Sequence, residues 1–253
     1  MSTSNDLGQW YKSIPSITRA WFTGSIIVPV AARLRVVNPF YLVLAVNRII
    51  KHFEIWRLLT AILYCRMDFG YLINLYFIYQ YSTRLETSTF DGKPADYVFC
   101  LAFVWLCTII AGSILLIWTL MDSMVMSVIY IWCQLNKEVV MSFWFGIQLK
   151  AMYLPWALML FDWIILGTYR EDLCGIIIGH LYYFLVFKYP QDFGGAKLLQ
   201  TPRLLYRYFP SKRFATSRFG TGPIHRHESD ASDNTDNRDR QVFGGRGYVL
   251  GFR

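Results

Sequence analysis

Charge is scarce in this chain: 17% of its 253 residues are Asp, Glu, Lys or Arg, while 55% are hydrophobic and 18% aromatic. That balance does not suit a water-soluble surface. It favours a polytopic membrane protein over a large soluble helical one, because several apolar runs reach about 17 to 25 residues with almost no charge. Cysteines are few and irregular. Cys65, Cys100, Cys107, Cys133 and Cys174 form no C-x-x-C pair, which argues against a disulfide framework or a metal site and for small core residues. No N-x-S/T acceptor occurs, so glycosylation marks no loop. The opening stretch, MSTSNDLGQWYKSIPSITRAW, has no compact apolar region before a small-residue cleavage site, and the first true span is expected to target the chain. A nucleotide-binding loop is also missing, so any mechanical work on a substrate has to come from a partner.

What is present reads as an all-α polytopic membrane protein of six spans with a disordered tail. Residues 1–14 form an interfacial lead-in, with Trp10, Tyr11 and Lys12 at headgroup level. Residues 15–190 form the membrane domain. Its first span covers residues 17–32, interrupted by Pro29 and closed by Arg33 and Arg35. Residues 36–65 are too charged to cross (Arg48, Lys51, His52, Glu54, Arg57) and too apolar for an ordinary loop, so they are expected to lie in the interface. The second span covers residues 69–81 with amphipathic flanks, followed by a turn around DGKP. A single helix over residues 97–135 would be about 58 Å long, which no bilayer core accommodates. That stretch is therefore two spans with a turn between Gly112 and Asp122. The fifth span covers residues 151–166 and the sixth residues 173–187.

The organising stretch is residues 56–86, WRLLTAILYCRMDFGYLINLYFIYQYSTRLE. It carries Asn74 and Gln80 inside an apolar helix and Arg84 and Glu86 at its end. Such groups are costly in hydrocarbon unless they face a protein interior, a water-filled cavity or the lipid boundary. Beyond the spans, the chain holds 12 Lys or Arg against 6 Asp or Glu from Lys188 onward. Lys188, Lys197, Arg203 and Arg207 beside the last span favour a cytosolic tail, and six spans put both termini on one side. Arg33, Arg35, Arg48, Lys51 and Arg57, on the other side of the first span, pull against that assignment. The tail divides into an amphipathic juxtamembrane segment (191–213), a polar, disordered linker (214–241) and a glycine-rich hydrophobic end (242–253).

Trp56-Arg57, Asn74 followed twelve positions later by Glu86, and Gly175-x-x-x-Gly179 resemble the six-helix core of the rhomboid superfamily. YQYSTRLE, FDGKPADY, the QLN and SFWFG run, YLPW and TPRLLYRYFP are similar to the derlin family in particular. The match runs from Trp10 to Pro210. It implies an endoplasmic-reticulum membrane protein with both termini in the cytosol.

A rhomboid protease needs an activated serine in a G-x-S-G setting on the fourth span and a histidine on the sixth, because an unassisted hydroxyl is a weak nucleophile. Aligned on Tyr130, the nucleophile position of this chain is Met126, with Ser127 out of register. The histidine position is Asp172, and the histidine that rhomboid proteases commonly place four residues before the second-span asparagine is Gly70. His180 lies about two turns deeper than Asp172 and is expected to be a hydrogen-bonded core histidine. The resemblance thus implies a retained fold without catalytic residues, cofactor or metal.

Gly175 and Gly179 form a small-x-x-x-small face for close packing, in the rhomboid context against the fourth span. Trp56 and Arg57 fit either an interfacial anchor, with the arginine snorkelling, or a role with substrate; by the resemblance they hold a lumenal interfacial element against the second span. Asn74, Gln80 and Glu86 are expected to form an internal hydrogen-bond network, with substrate contact as the alternative. Phe243, Gly245, Gly247 and Leu250 resemble the short motif by which adaptors bind the valosin-containing AAA ATPase, the glycines letting an extended backbone approach a receptor strand while Phe243 and Leu250 fill pockets. The expected function is non-catalytic assistance in endoplasmic-reticulum-associated degradation: retrotranslocation of misfolded clients alongside the AAA ATPase, a ubiquitin ligase complex, membrane lipids and further derlin-like subunits, without nucleic acid. An intramembrane serine protease and a channel or transporter are the rival classes, though no charge ladder or inverted half-repeat of the transporter kind is present.

Overall fold

The computed structural model describes residues 3–142, 148–192 and 199–209. Helices occupy all six expected spans: α2 (Ser16–Arg33), α5 (Phe69–Phe77), α6 (Pro94–Leu115), α7 (Met121–Leu135), α8 (Leu154–Leu166) and α9 (Arg170–Tyr183). Helix α1 (Thr3–Ser13) precedes them, and two short helices, α3 (Val46–His52) and α4 (Trp56–Leu63), lie between the first and second spans. The expected break in the long apolar run falls after Leu116, whose left-handed φ of 57° ends α6. Two backbone hydrogen bonds pin this turn to the preceding loops: Leu44 N–H donates to the Trp118 carbonyl at 2.9 Å, and Leu120 N–H to that of Ala61 at 3.0 Å.

Helix α7 is the axis. Only Asp122, Gln134 and Leu135 of its 15 residues escape full burial. Around it, α6 turns Tyr97, Cys100, Val104 and Thr108 inward at three- and four-residue spacing and leaves Leu106, Ile110 and Ile114 exposed. Helix α8 buries Leu154 and Leu158 and exposes Trp156, Leu160, Trp163, Ile164 and Ile165. A perimeter of large apolar side chains on several helices is incompatible with water and suits hydrocarbon, where each helix satisfies its own backbone. All five cysteines are free, and all but Cys107 are buried.

Several elements differ from expectation. The second span continues through two π-type turns, Ile78–Ser82 and Leu85–Thr89, so Gln80 and Glu86 stand on one continuous helix. Helix α9 begins a turn early, at Arg170, which makes Asp172 helical, and it runs on through Phe184–Lys188 into α10 (Tyr189–Asp192). A small hairpin unforeseen in the sequence, β1 (Val140–Ser142) against β2 (Gln148–Lys150), lies before the fifth span and is bridged by Lys150 and Glu138 at 2.9 Å. Burial separates the two parts of residues 36–65. Val36, Ile50, Phe53, Ile55 and Trp56 are exposed apolar groups, as an interfacial piece requires, but α4 sinks Arg57, Ala61 and Ile62 into the protein. The juxtamembrane segment forms a six-residue helix, α11 (Arg203–Tyr208). The linker, and the motif of Phe243, Gly245, Gly247 and Leu250, lie outside the described residues.

Candidate functional site

The polar residues inside the spans do not join into the single network expected of Asn74, Gln80 and Glu86. Each stands in its own environment, because one helix turns them to different neighbours. Glu86 reaches the start of α2. That helix opens after Pro15, which offers no side-chain cap, and its first N–H groups would otherwise be orphaned. The Glu86 carboxylate accepts from the N–H of Ile17 at 3.2 Å, the N–H of Thr18 at 2.8 Å and the Thr18 hydroxyl at 2.7 Å. A carboxylate is the favoured group at the positive end of a helix. With Thr18 donating to Glu86, the donor order is fixed: Tyr97 donates to Ser82 at 2.5 Å and Ser82 to Thr18 at 2.7 Å. The chain ties α2, the end of α5 and α6 together in a buried interior.

Gln80 turns instead to Arg84: with the amide oriented so that its oxygen faces the guanidinium, that oxygen accepts from Nη2 at 2.5 Å. The same guanidinium lies over the Trp132 ring, 5.2 Å from its centroid.

Arg57 is fully buried and does not snorkel. Its Nη1 donates to the carbonyls of Phe40 at 2.6 Å and Val43 at 3.1 Å, and its Nε pairs with Glu54. The guanidinium faces the Tyr41 ring at 5.6 Å, and Thr60 adds a bond to the Leu42 carbonyl at 3.1 Å. Arg57 therefore holds residues 39–43 onto α4, which packs on α2 and α7. Trp56, pointing away, is exposed as an interfacial anchor would be.

Asn74 donates to Asp122 at the start of α7. Asp162, near the end of α8, and Asp172, near the start of α9, lie within hydrogen-bond reach of each other. Asp122 is close enough to interact with Asp162 and Glu171. Four spans thus bring one amide and three carboxyl groups to the same end of the bundle. Acidic side chains inside apolar spans are expensive and belong to an interior or a wet cavity. Sequence reasoning singled out Asn74 and Asp172 but missed Asp122 and Asp162 as partners; the signal was there, an acidic residue in each of two apolar runs. Thr18, Ser82 and Tyr97 gave no comparable signal.

The positions that correspond to protease chemistry are occupied by packing. Met126 is buried. Ser127 Oγ lies 2.8 Å from both the Ser123 and Gly175 carbonyl oxygens, and Ser123 Oγ donates to the Glu171 carbonyl at 2.8 Å. The two serines, four residues apart on α7, tie carbonyls four residues apart on α9. Between them the glycine face closes as expected: a β-carbon on Gly175 would come 2.5 Å from the Ser123 oxygen, and one on Gly179 2.8 Å from that of Ser127. His180 is hydrogen bonded, its Nδ1 2.8 Å from the Tyr130 hydroxyl, but it is exposed rather than in the core.

The chain's sequence relatives point to one family. The Der1-like family model matches residues 14–203. Derlin-1 of Homo sapiens is 45% identical over 251 residues, covering 98% of this chain and 99% of that protein. Derlin-1 of Drosophila melanogaster is 40% identical over 87% of this chain and 91% of its own length. Derlin-2 of Oryza sativa is 32% identical over 83% and 89%. The six-helix bundle, its glycine-packed α7–α9 pair and this near-complete match make the chain a member of the Der1-like family, the derlins.

Proposed function

We propose that this derlin is a non-catalytic component of endoplasmic-reticulum-associated degradation, which lowers the barrier for misfolded polypeptides crossing to the cytosol and recruits the valosin-containing AAA ATPase to pull them. The observation that carries the reading is the polar end of the bundle, where Asn74, Asp122, Asp162 and Asp172 converge from four spans. Polypeptide backbone has no hydrogen-bond partners in hydrocarbon, so a path lined by amide and carboxyl groups reduces the cost of moving it. Short helices support the same reading. At 1.5 Å per residue the 15 residues of α7 span roughly 22 Å, and α8 together with the tight 3-10 turn that leads into it (Ala151–Tyr153) spans about 25 Å, against a core of about 30 Å. That mismatch favours a locally thinned bilayer.

The absence of cutting chemistry is supported by Ser127, whose hydroxyl is committed to two backbone carbonyls, and by Asp172 in place of a histidine. Force has to come from outside, and the Phe243-Gly245-Gly247-Leu250 motif is the proposed handle, with both termini cytosolic and a ubiquitin ligase complex as a further partner. In cells depleted of this protein, the half-life of a misfolded lumenal client lengthens; an unchanged half-life would sink the reading. Deleting residues 241–253 abolishes recovery of the AAA ATPase in pull-downs, and undiminished recovery would remove the docking assignment alone. A protease is ruled back in only by cleavage of a model transmembrane substrate that disappears with Ser127→Ala.

A further inference from the structure

Three arginines surround a cavity of about 480 Å³ at the end of the bundle where α2 finishes and α5 begins: Arg33, Arg35 and Arg66, with Pro29, Tyr64 and Cys65 in its wall. The left-handed φ of 59° at Arg35 brings two of them together. In a continuing helix, residues two apart face different sides; the reversal after Leu34 turns Arg35 to the cavity that Arg33 lines. The lining contains no carboxylate. Nearby acids are committed elsewhere: Glu54 to Arg57, Asp122 to Asn74, and Asp68 to the N-terminus of α5, where its Oδ1 accepts from the Tyr71 N–H at 3.0 Å. The three guanidiniums make no ion pair among the described residues.

The neighbours of these cations decide what would neutralise them. Leu34 and Val36 interleave with Arg33 and Arg35, and Met67 and Phe69 follow Arg66; all four are exposed. A soluble anion would leave those apolar groups in water. A phospholipid satisfies both: acyl chains cover the apolar residues, while the phosphate takes the planar N–H forks of the arginines. We propose that this cavity is a binding site for the phosphate of an anionic membrane phospholipid. It gives a purpose to positive charge at an end of the first span where the charge rule for topology does not ask for it.

The test uses the full chain, fluorescently labelled in neutral detergent, with binding read by thermophoresis. Probes are short-chain phosphatidylglycerol, phosphatidylcholine of the same chain length, inorganic phosphate and a polyglutamate peptide. Phosphatidylglycerol binds best. R33Q/R35Q/R66Q weakens it at least about fiftyfold, and the charge-matched K12Q/K93Q/K137Q changes it by less than about twofold. If the triple variant is not monodisperse, R66Q alone, placed in the turn between α4 and α5, weakens binding roughly fivefold. The proposal is overturned if the arginine variants bind as the wild type does, or if the control loses as much as the triple. Inorganic phosphate binding as tightly as the lipid would make this a free-anion site, and equal binding of polyglutamate would make it a peptide surface; either overturns the lipid assignment.

Discussion

Single polar side chains do long-range structural work here that their positions in the sequence do not advertise. Glu86 caps a helix that starts 68 residues earlier than itself, counted to Thr18. Glu86→Leu leaves two α2 N–H groups and the Thr18 hydroxyl without their acceptor, in an interior where unsatisfied groups cost about 1 to 3 kcal/mol each. The apparent Tm in detergent should fall markedly, and Glu86→Gln, which keeps an acceptor oxygen, should recover part of the loss. An unchanged Tm for the leucine variant would mean that the cap is dispensable. Arg57→Lys retains charge but not the planar fork that reaches two carbonyls and Glu54 at once. Its expected signature is local: faster amide exchange over residues 39–43, with α9 unaffected. Ser127→Ala removes one rung between α7 and α9 and should cost only about 0.6 to 1 kcal/mol. A serine of that kind is a packing residue.

Among the elements, the α7–α9 pair is the least tolerant of change. Gly179→Val drives a branched side chain against the Ser127 oxygen and the Tyr130 β-carbon, 2.8 and 2.9 Å from the first added atom. Backbone on one side and a β-carbon on the other leave little to yield, and overpacking of this sort costs typically 1 to 3 kcal/mol or more. The variant should lose Tm and expression, whereas Ile177→Val on the exposed side of the same helix should be silent. Helix α11 shows the opposite regime, a lightly held element. The Asp96 carboxylate accepts from Thr201 Oγ1 at 2.6 Å and from the Tyr206 hydroxyl. The hydrogen bond to Asp96, and then partial burial, push the Tyr206 phenol above its ordinary value of 10.0. A raised pKa means the folded state favours the neutral phenol, so this contribution is complete below pH 10 and disappears as pH climbs through the raised value. NMR of isotope-labelled tyrosine should place the Tyr206 midpoint above that of a free phenol, and Asp96→Asn should return it towards 10.0 and speed amide exchange in α11. A midpoint indifferent to Asp96 would break the link.

For the whole molecule the expected topology is testable because the chain has no native N-x-S/T site. Acceptors introduced singly into residues 47–52 and into the tail should differ: the first glycosylated, the second not. Glycosylation of the tail would invert the proposed orientation and with it the route to a cytosolic ATPase.

Much of this was legible without coordinates. The six spans and a break between residues 112 and 122 follow from hydrophobic run length and the 1.5 Å rise of a helix, and the Gly175-x-x-x-Gly179 face follows from four-residue spacing. These are local quantities, each carried by a segment on its own. Tertiary structure decided who meets whom. Glu86 and Thr18, Arg57 and Phe40, Asn74 and Asp122 are separated by 68, 17 and 48 residues, and nothing in a run of apolar letters states which helix faces another. Arg57 shows the reason most clearly. By composition it was as fit for a snorkelling anchor as for anything else, and only the Glu54 carboxylate and the carbonyls that residues 40 and 43 turn towards it offset the cost of full burial. Sequence set the number, approximate position and polarity of the spans, because those depend on each segment's own transfer into lipid. Pairing of the scarce polar groups was left to the fold, because their cost vanishes only where distant partners supply the missing hydrogen bonds.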